Sequence, residues 1–186
     1  MPFDTRATNK HRQNLSEYEQ IWVFGYGSLI YKVDFDYIAC TTGYIKDFQR
    51  RFWQGSHDHR GTQQKPGRVL TLVPVCGAKC FGKAFHVSAD VFDHLDHREK
   101  NGYLRHEVDL YLPQKVVKGL VYIADQNNPA YLGYASIEQI AKHIYHSAGP
   151  SGQNRDYVYG LADALRKHKE ADEHVFAVEK QLRIFA

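Results

Sequence analysis

A chain of 186 residues with 24% charged and 43% hydrophobic side chains can bury a sizeable core and has the balance of a soluble globular domain, which excludes a disordered chain. A formal charge of +3 does not call for nucleic acid, and no apolar run approaches the ~20 residues of a membrane span, so neither nucleic acid nor membrane is expected as a partner. The start of the chain lacks the apolar stretch of a secretory signal, and Cys40, Cys76 and Cys80 match no zinc spacing, so a cytosolic chain with reduced thiols is expected.

Residues 1–18 are polar, without strand or helix periodicity, and read as a disordered leader ahead of a single domain over 19–186. From Ile21 the chain turns to short β-branched and aromatic runs. Strands are expected over Ile21–Tyr26, Gly43–Trp53, Arg68–Val73, Cys80–Val87, Leu104–Leu112 and Val116–Ala124. In the fifth, Leu104, Val108, Leu110 and Leu112 share one face, as a half-buried antiparallel strand requires. Between the fourth and fifth strands a helix capped by Ser88 would bury Val91, Phe92 and Leu95.

The second half switches to period 3.6. Ser136 and Gln139 form a capping-box pattern ahead of Ile137, Ile140, Ala141 and Ile144, and Gly149-Pro150 ends that helix. Further helices are expected over 154–167, with Val158, Leu161 and Leu165 inward, and over about 171–183, with Val175, Val178 and Leu182 inward. Strands first and helices later give an α+β fold, and short strands that close into a small barrel leave no exposed edge.

Two stretches carry chemistry. In Val23-Phe24-Gly25-Tyr26-Gly27-Ser28-Leu29-Ile30 an apolar strand runs into two glycines, where backbone N–H groups can lie against an anion. There is no third glycine at dinucleotide spacing and no Gly-Lys-Ser/Thr, so both nucleotide readings fail; an ordinary strand-end turn is the alternative. The second stretch is the inserted helix, whose buried stripe continues by fours from Val91 through Leu95 to Glu99. Desolvation there raises a carboxyl pKa towards neutrality, as general acid–base work needs. The alternatives are an ion pair with Arg98 or Lys100, or emergence into water at Asn101-Gly102. Between these stretches, strand alternation sets Arg51 and Trp53 on one face and Arg50 and Phe52 on the other; an arginine beside an aromatic suits a carboxylate, with a solvated strand edge as the alternative. His57 with His59, and His143 with His146, have no third ligand in the pattern, so no metal is expected.

Several segments appear in register: Val23–Ile30, Arg50-Arg51-Phe52-Trp53-Gln54-Gly55-Ser56, Asp58-His59-Arg60-Gly61, Lys65-Pro66-Gly67-Arg68-Val69, Leu95-Asp96-His97-Arg98-Glu99-Lys100-Asn101-Gly102-Tyr103 and Gly149-Pro150-Ser151-Gly152. Together they resemble the ChaC family of glutathione-specific γ-glutamylcyclotransferases over residues 21–183. The resemblance implies an α+β γ-glutamylcyclotransferase-like fold, a small mixed β-barrel with surrounding helices. It implies Glu99 as the catalytic general acid/base and glutathione as the small-molecule substrate, cyclised to 5-oxoproline with release of Cys-Gly and no cofactor. Val23, Phe24, Gly25, Tyr26, Gly27, Ser28 and Leu29 would form the substrate loop, holding either the α-carboxylate or the developing oxyanion, with Arg51, Arg68 and Tyr157 completing the pocket. Two departures touch fine geometry: Lys100-Asn101-Gly102 where many members have two glycines before the tyrosine, and Tyr31 where tryptophan is common.

Overall fold

A computed structural model describes residues 3–185. Five strands, β1 (Ile21–Gly25), β2 (Ala39–Ser56), β3 (Gly67–Val87), β4 (Leu104–Tyr111) and β5 (Val116–Ile123), close into a barrel in the order β1-β3-β2-β4-β5. Neighbours run antiparallel except at the closing seam, where β1 and β5 meet in parallel with Val23 opposite Leu120. All five residues of β1 are buried because both its faces are covered. Trp22 and Phe24 join a core shared with the C-terminal helices, while Ile21 and Val23 join a second one with α2 (Val91–Arg98).

The two strands expected at Arg68–Val73 and Cys80–Val87 are one strand of 21 residues. Pro74 lacks the N–H that a ladder needs, yet it sits opposite Phe48 beside a shift of register, where the ladder is already interrupted. Asp47 is the partner of that irregularity: its φ is 64°, and its Oδ1 accepts the Gly77 N–H at 2.7 Å.

The later helices follow the 3.6-residue pattern. They are α3 (Ile137–Tyr145), α4 (Asn154–Lys167) and α5 (Glu173–Phe185), and a two-residue hairpin of β6 (Ala148–Gly149) and β7 (Gly152–Gln153) separates the first two. The expected capping box is formed, with Ser136 Oγ accepting the Gln139 N–H and Gln139 Oε1 accepting the Ser136 N–H. The inserted helix differs at its start: Asp90 takes the N-cap position, and Ser88 spends its hydroxyl on the Asp90 carboxylate. Among the described residues no helix is long and apolar enough to cross a membrane.

The leader reading requires correction. Residues 6–10 form a helical turn, α1 (Arg6–Lys10), and Asn9 is fully buried. Without an apolar stripe the segment gives no periodic signal; polar side chains hold it instead. Asn9 Nδ2 donates to the Tyr103 carbonyl at 3.0 Å and Asn9 Oδ1 accepts the Arg105 N–H at 2.9 Å. This cover also explains why Arg105, on the face of β4 expected to be polar and solvated, is buried beside Asp96 at 3.5 Å.

Candidate active site

Glu99 follows the last turn of α2 and its N–H still bonds to the Leu95 carbonyl at 2.9 Å, so the buried stripe delivers its carboxyl to the barrel mouth. The side chain keeps 23% exposure, opening into a cavity of about 190 Å³. Protein atoms enclose the rest. Burial raises the Glu99 pKa above its ordinary 4.5, against the opposing pull of Arg98 and His59. The ion pair with Arg98 that stood as an alternative is present as well: Arg98 Nε donates to Glu99 Oε1 at 3.2 Å. Pairing and burial coexist because the Arg98 side chain is itself only 13% exposed and forms part of the wall.

Arg98 also joins this carboxylate to the glycine loop. Its Nη2 donates to Ser28 Oγ at 2.7 Å, and its Nη1 binds the Asp34 carboxylate. Asp34 titrates below its ordinary range; burial opposes this, and Arg98 and His94 bring it about. Residues Ser28–Ile30 form a single 3₁₀ turn after β1. The bonds that close the turn begin at the Ile30 N–H, which leaves the N–H groups of Gly27, Ser28 and Leu29 outside its ladder. Gly27 lies against Tyr157: a Cβ there would stand 2.8 Å from the phenolic oxygen.

The wall also includes Tyr103 and Tyr157, both with hydroxyls held protonated by burial, together with Asp58, Arg60, Asn101 and Ser151. Tyr103 Oη donates to the Leu70 carbonyl at 2.5 Å. Lys100 Nζ stands 3.1 Å from Asp58, so the residue after Glu99 is tied to the segment that follows β2. Gly102 has φ +90°, and a Cβ there would meet Asn128 Oδ1 at 2.4 Å, so the turn that carries Glu99 into Tyr103 requires glycine. Gly149 admits a similarly close approach: a Cβ would meet the His59 carbonyl at 2.4 Å, and the Ser151 N–H donates to that same oxygen.

Of the residues expected around the substrate, Ser28, Tyr157 and Glu99 line the cavity. The side chains of Val23, Phe24, Tyr26 and Leu29 lie in the cores, and that of Tyr26 donates to the Tyr122 carbonyl at 2.7 Å, so only their backbone is left to face a ligand. Gly25 is packed against Leu29, whose Cβ would stand 2.5 Å from any Cβ added there. Arg51 and Arg68 lie outside the cavity. Arg51 turns to the Arg50 carbonyl and to Gln49, beside a different hollow that includes Asp172 and His174. Its neighbour Arg50 takes the inward face, pairing with Asp172 at 3.1 Å and donating to the Tyr26 carbonyl at 2.7 Å, which steadies the glycine loop from behind. Arg68 is buried and spends Nη1 on the carbonyls of Phe52 and Gly133.

Periodicity did not single out Arg98, Asp58, Arg60, Asn101 or Ser151 as cavity residues; they are scattered along the chain, and only the order of the motif segments hinted at them. Among the described residues no group of three or more His, Cys, Asp or Glu side chains is placed to hold a metal ion.

A closed barrel with a glycine loop on its first strand and a recessed carboxylate after an inserted helix is the fold of the γ-glutamylcyclotransferases. The crystal structure of a yeast γ-glutamyl cyclotransferase specific to glutathione matches with a TM-score of 0.83 at 30% identity, covering 90% of this chain and 97% of the yeast chain. The chain belongs to the ChaC-like protein family, whose model matches residues 21–184. Glutathione-specific γ-glutamylcyclotransferase 1 of Danio rerio is 42% identical over 87% of this chain and 88% of its own. γ-Glutamylcyclotransferase 2-3 of Arabidopsis thaliana is likewise 42% identical, over 88% of each chain.

Proposed function

We infer that the protein is a glutathione-specific γ-glutamylcyclotransferase, with Glu99 as its general acid and base. The observation that carries this reading is the placement of a recessed carboxylate and a loop with N–H groups to spare on the two sides of one guanidinium, Arg98. Family membership sets the substrate class, since the Danio rerio relative and the yeast protein are both named for action on glutathione.

The γ-glutamyl end of glutathione carries an α-ammonium. Glu99 takes a proton from it, and the freed amine attacks the carbonyl carbon of its own side-chain amide, closing a five-membered ring. The C–N bond to cysteine then breaks: the proton held on Glu99 goes to the departing amine, and the second proton shed by the ring nitrogen follows by the same carboxyl, so that Cys-Gly leaves as an ammonium. The products are 5-oxoproline and Cys-Gly. Nucleophile and electrophile belong to one residue, so the protein has only to hold the folded conformer. A raised carboxyl pKa suits a group that must both accept and return a proton, and such help is worth ~10²–10⁴ in rate. The N–H groups of Gly27, Ser28 and Leu29 bind the α-carboxylate or the developing oxyanion, and Tyr157 bounds the same end of the site.

The cavity's volume of about 190 Å³ is below the ~300–1,000 Å³ typical of sites that take a whole drug-sized ligand. It suits the γ-glutamyl head, with Cys-Gly passing over the exposed rim at Lys32, His59 and Ser151. Incubation with glutathione and with γ-glutamyl-alanine, followed by mass spectrometry, tests the reading. Release of 5-oxoproline from glutathione alone is expected. Equal turnover of both would make the protein a cyclotransferase of broader γ-glutamyl scope, and turnover of neither would defeat the catalytic assignment.

A further inference from the structure

The first residues of the chain precede the part matched by the family model, yet they grip the turn that leaves Glu99. The Thr5 N–H and its hydroxyl both donate to the Lys100 carbonyl, at 3.0 and 3.1 Å. Asp4 forms a bridge with Asn101, and the Gly102 N–H donates to the Phe3 carbonyl at 2.9 Å. Asn9 then takes the Tyr103 carbonyl and the Arg105 N–H, and the Phe3 ring stacks on His57 with centroids 4.5 Å apart. Residues 100 to 103 are thus each held by this one segment, while α2 holds Glu99 from the other side through Leu95. Asn9 is fully buried, so its two hydrogen bonds are shielded from competing water.

We propose that residues 3–12 act as a positioning strap that fixes the turn over residues 99–103, and through it the carboxyl of Glu99 and the hydroxyl of Tyr103. The strap touches neither the cavity nor, on the function inferred above, the substrate; it works through the backbone of the turn. A displacement of about 1 Å at a reacting group can cost ~10² in rate, which a loosened turn readily supplies. Binding of the γ-glutamyl head at the glycine loop depends on β1 and α4, whereas the strap's hydrogen bonds hold residues 100–105.

The test compares the full chain, a chain lacking residues 1–12, and Asn9→Ala. With glutathione, kcat should fall on the order of 10–100-fold in the shortened chain, with KM within about threefold. A synthetic peptide of residues 1–14 added in trans should restore kcat. Hydrogen exchange gives a readout independent of turnover, since amides of residues 97–105 should lose protection in both variants while β1 and α4 keep theirs. Unchanged kcat and unchanged exchange in the shortened chain would overturn the proposal, as would a parallel rise in KM that the peptide does not reverse. If the shortened chain does not fold, Asn9→Ala carries the same comparison. A full chain that leaves glutathione intact would defeat the inferred function, and exchange over 97–105 would then decide the strap alone.

Discussion

Arg98 Nε lies 3.2 Å from Oε1 of Glu99, its neighbour in sequence, at the point where α2 ends. Adjacent side chains on a helix diverge by about 100°, and the two meet where Glu99 has left helical geometry, with φ −98° and ψ 16°. The guanidinium therefore holds the carboxylate in an orientation the helix itself would not give it.

Replacing Glu99 by Gln keeps size and removes the exchangeable charge. Turnover of glutathione should fall by ~10²–10⁴. Ligand affinity, read by isothermal titration calorimetry, should stay within about tenfold. The same variant carries a stability signature. Burial lifts the folded-state pKa of Glu99 above 4.5, so the stability it contributes is full below the unfolded value and is lost as pH rises through the folded one. Glu99→Gln should accordingly melt above the parent at pH 7–8, and the gap should close on acidification to about pH 4.

Arg98 opposes the effect of burial on Glu99 through its charge and its hydrogen bond. In Arg98→Gln the carboxyl pKa should rise further, moving the acid limb of the kcat/KM profile to higher pH while His59 and Asp34 still face it. An acid limb that stays in place would show that this limb belongs to another group.

Gly27 and Tyr157 should be coupled. A Cβ at 27 would stand 2.8 Å from the Tyr157 oxygen but 3.9 Å from Cζ, so Gly27→Ala should raise KM in the parent and do less harm in a Tyr157→Phe background. A double-mutant cycle on KM measures this directly, and strict additivity would remove the contact as the cause.

The two arginines outside the cavity should behave differently from each other. Arg51→Ala should leave kcat/KM within about twofold, because its guanidinium lies outside the cavity and hydrogen-bonds to Arg50 and Gln49 on its own strand. Arg68→Ala strands the Phe52 carbonyl in the interior, removes the partner of the half-buried Gly133 carbonyl, and should cost about 1–3 kcal/mol in urea unfolding.

Periodicity revealed the elements whose stripes pack on a core. The capping box at Ser136, the inward residues of α4 and α5, and the step from Leu95 to Glu99 all follow from spacing alone. It failed where polar side chains carry the packing. Asn9 and Arg105 are buried through mutual hydrogen bonds, and no apolar pattern announces such pairs. The two strands expected at Arg68–Val73 and Cys80–Val87 are one, and Pro74 between them sits opposite an irregularity at Asp47, a distant residue in a left-handed conformation that no local pattern reveals. At the site, alternation separated Arg50 from Arg51 but not which of the two faces inward; that is set by Asp172, far along the chain.

The parallel seam between Val23 and Leu120 has a consequence for synthesis. The glycine loop follows β1 and Glu99 follows α2, yet β1 gains its last neighbour only when β5 is made, roughly a hundred residues later. Tyr157 arrives later still, on α4. A nascent chain thus carries the parts of the site long before it holds them together, and non-local closure of this kind is a late step in folding. An unfinished chain on the ribosome would lack the walls that bring the carboxyl and the loop to one cavity.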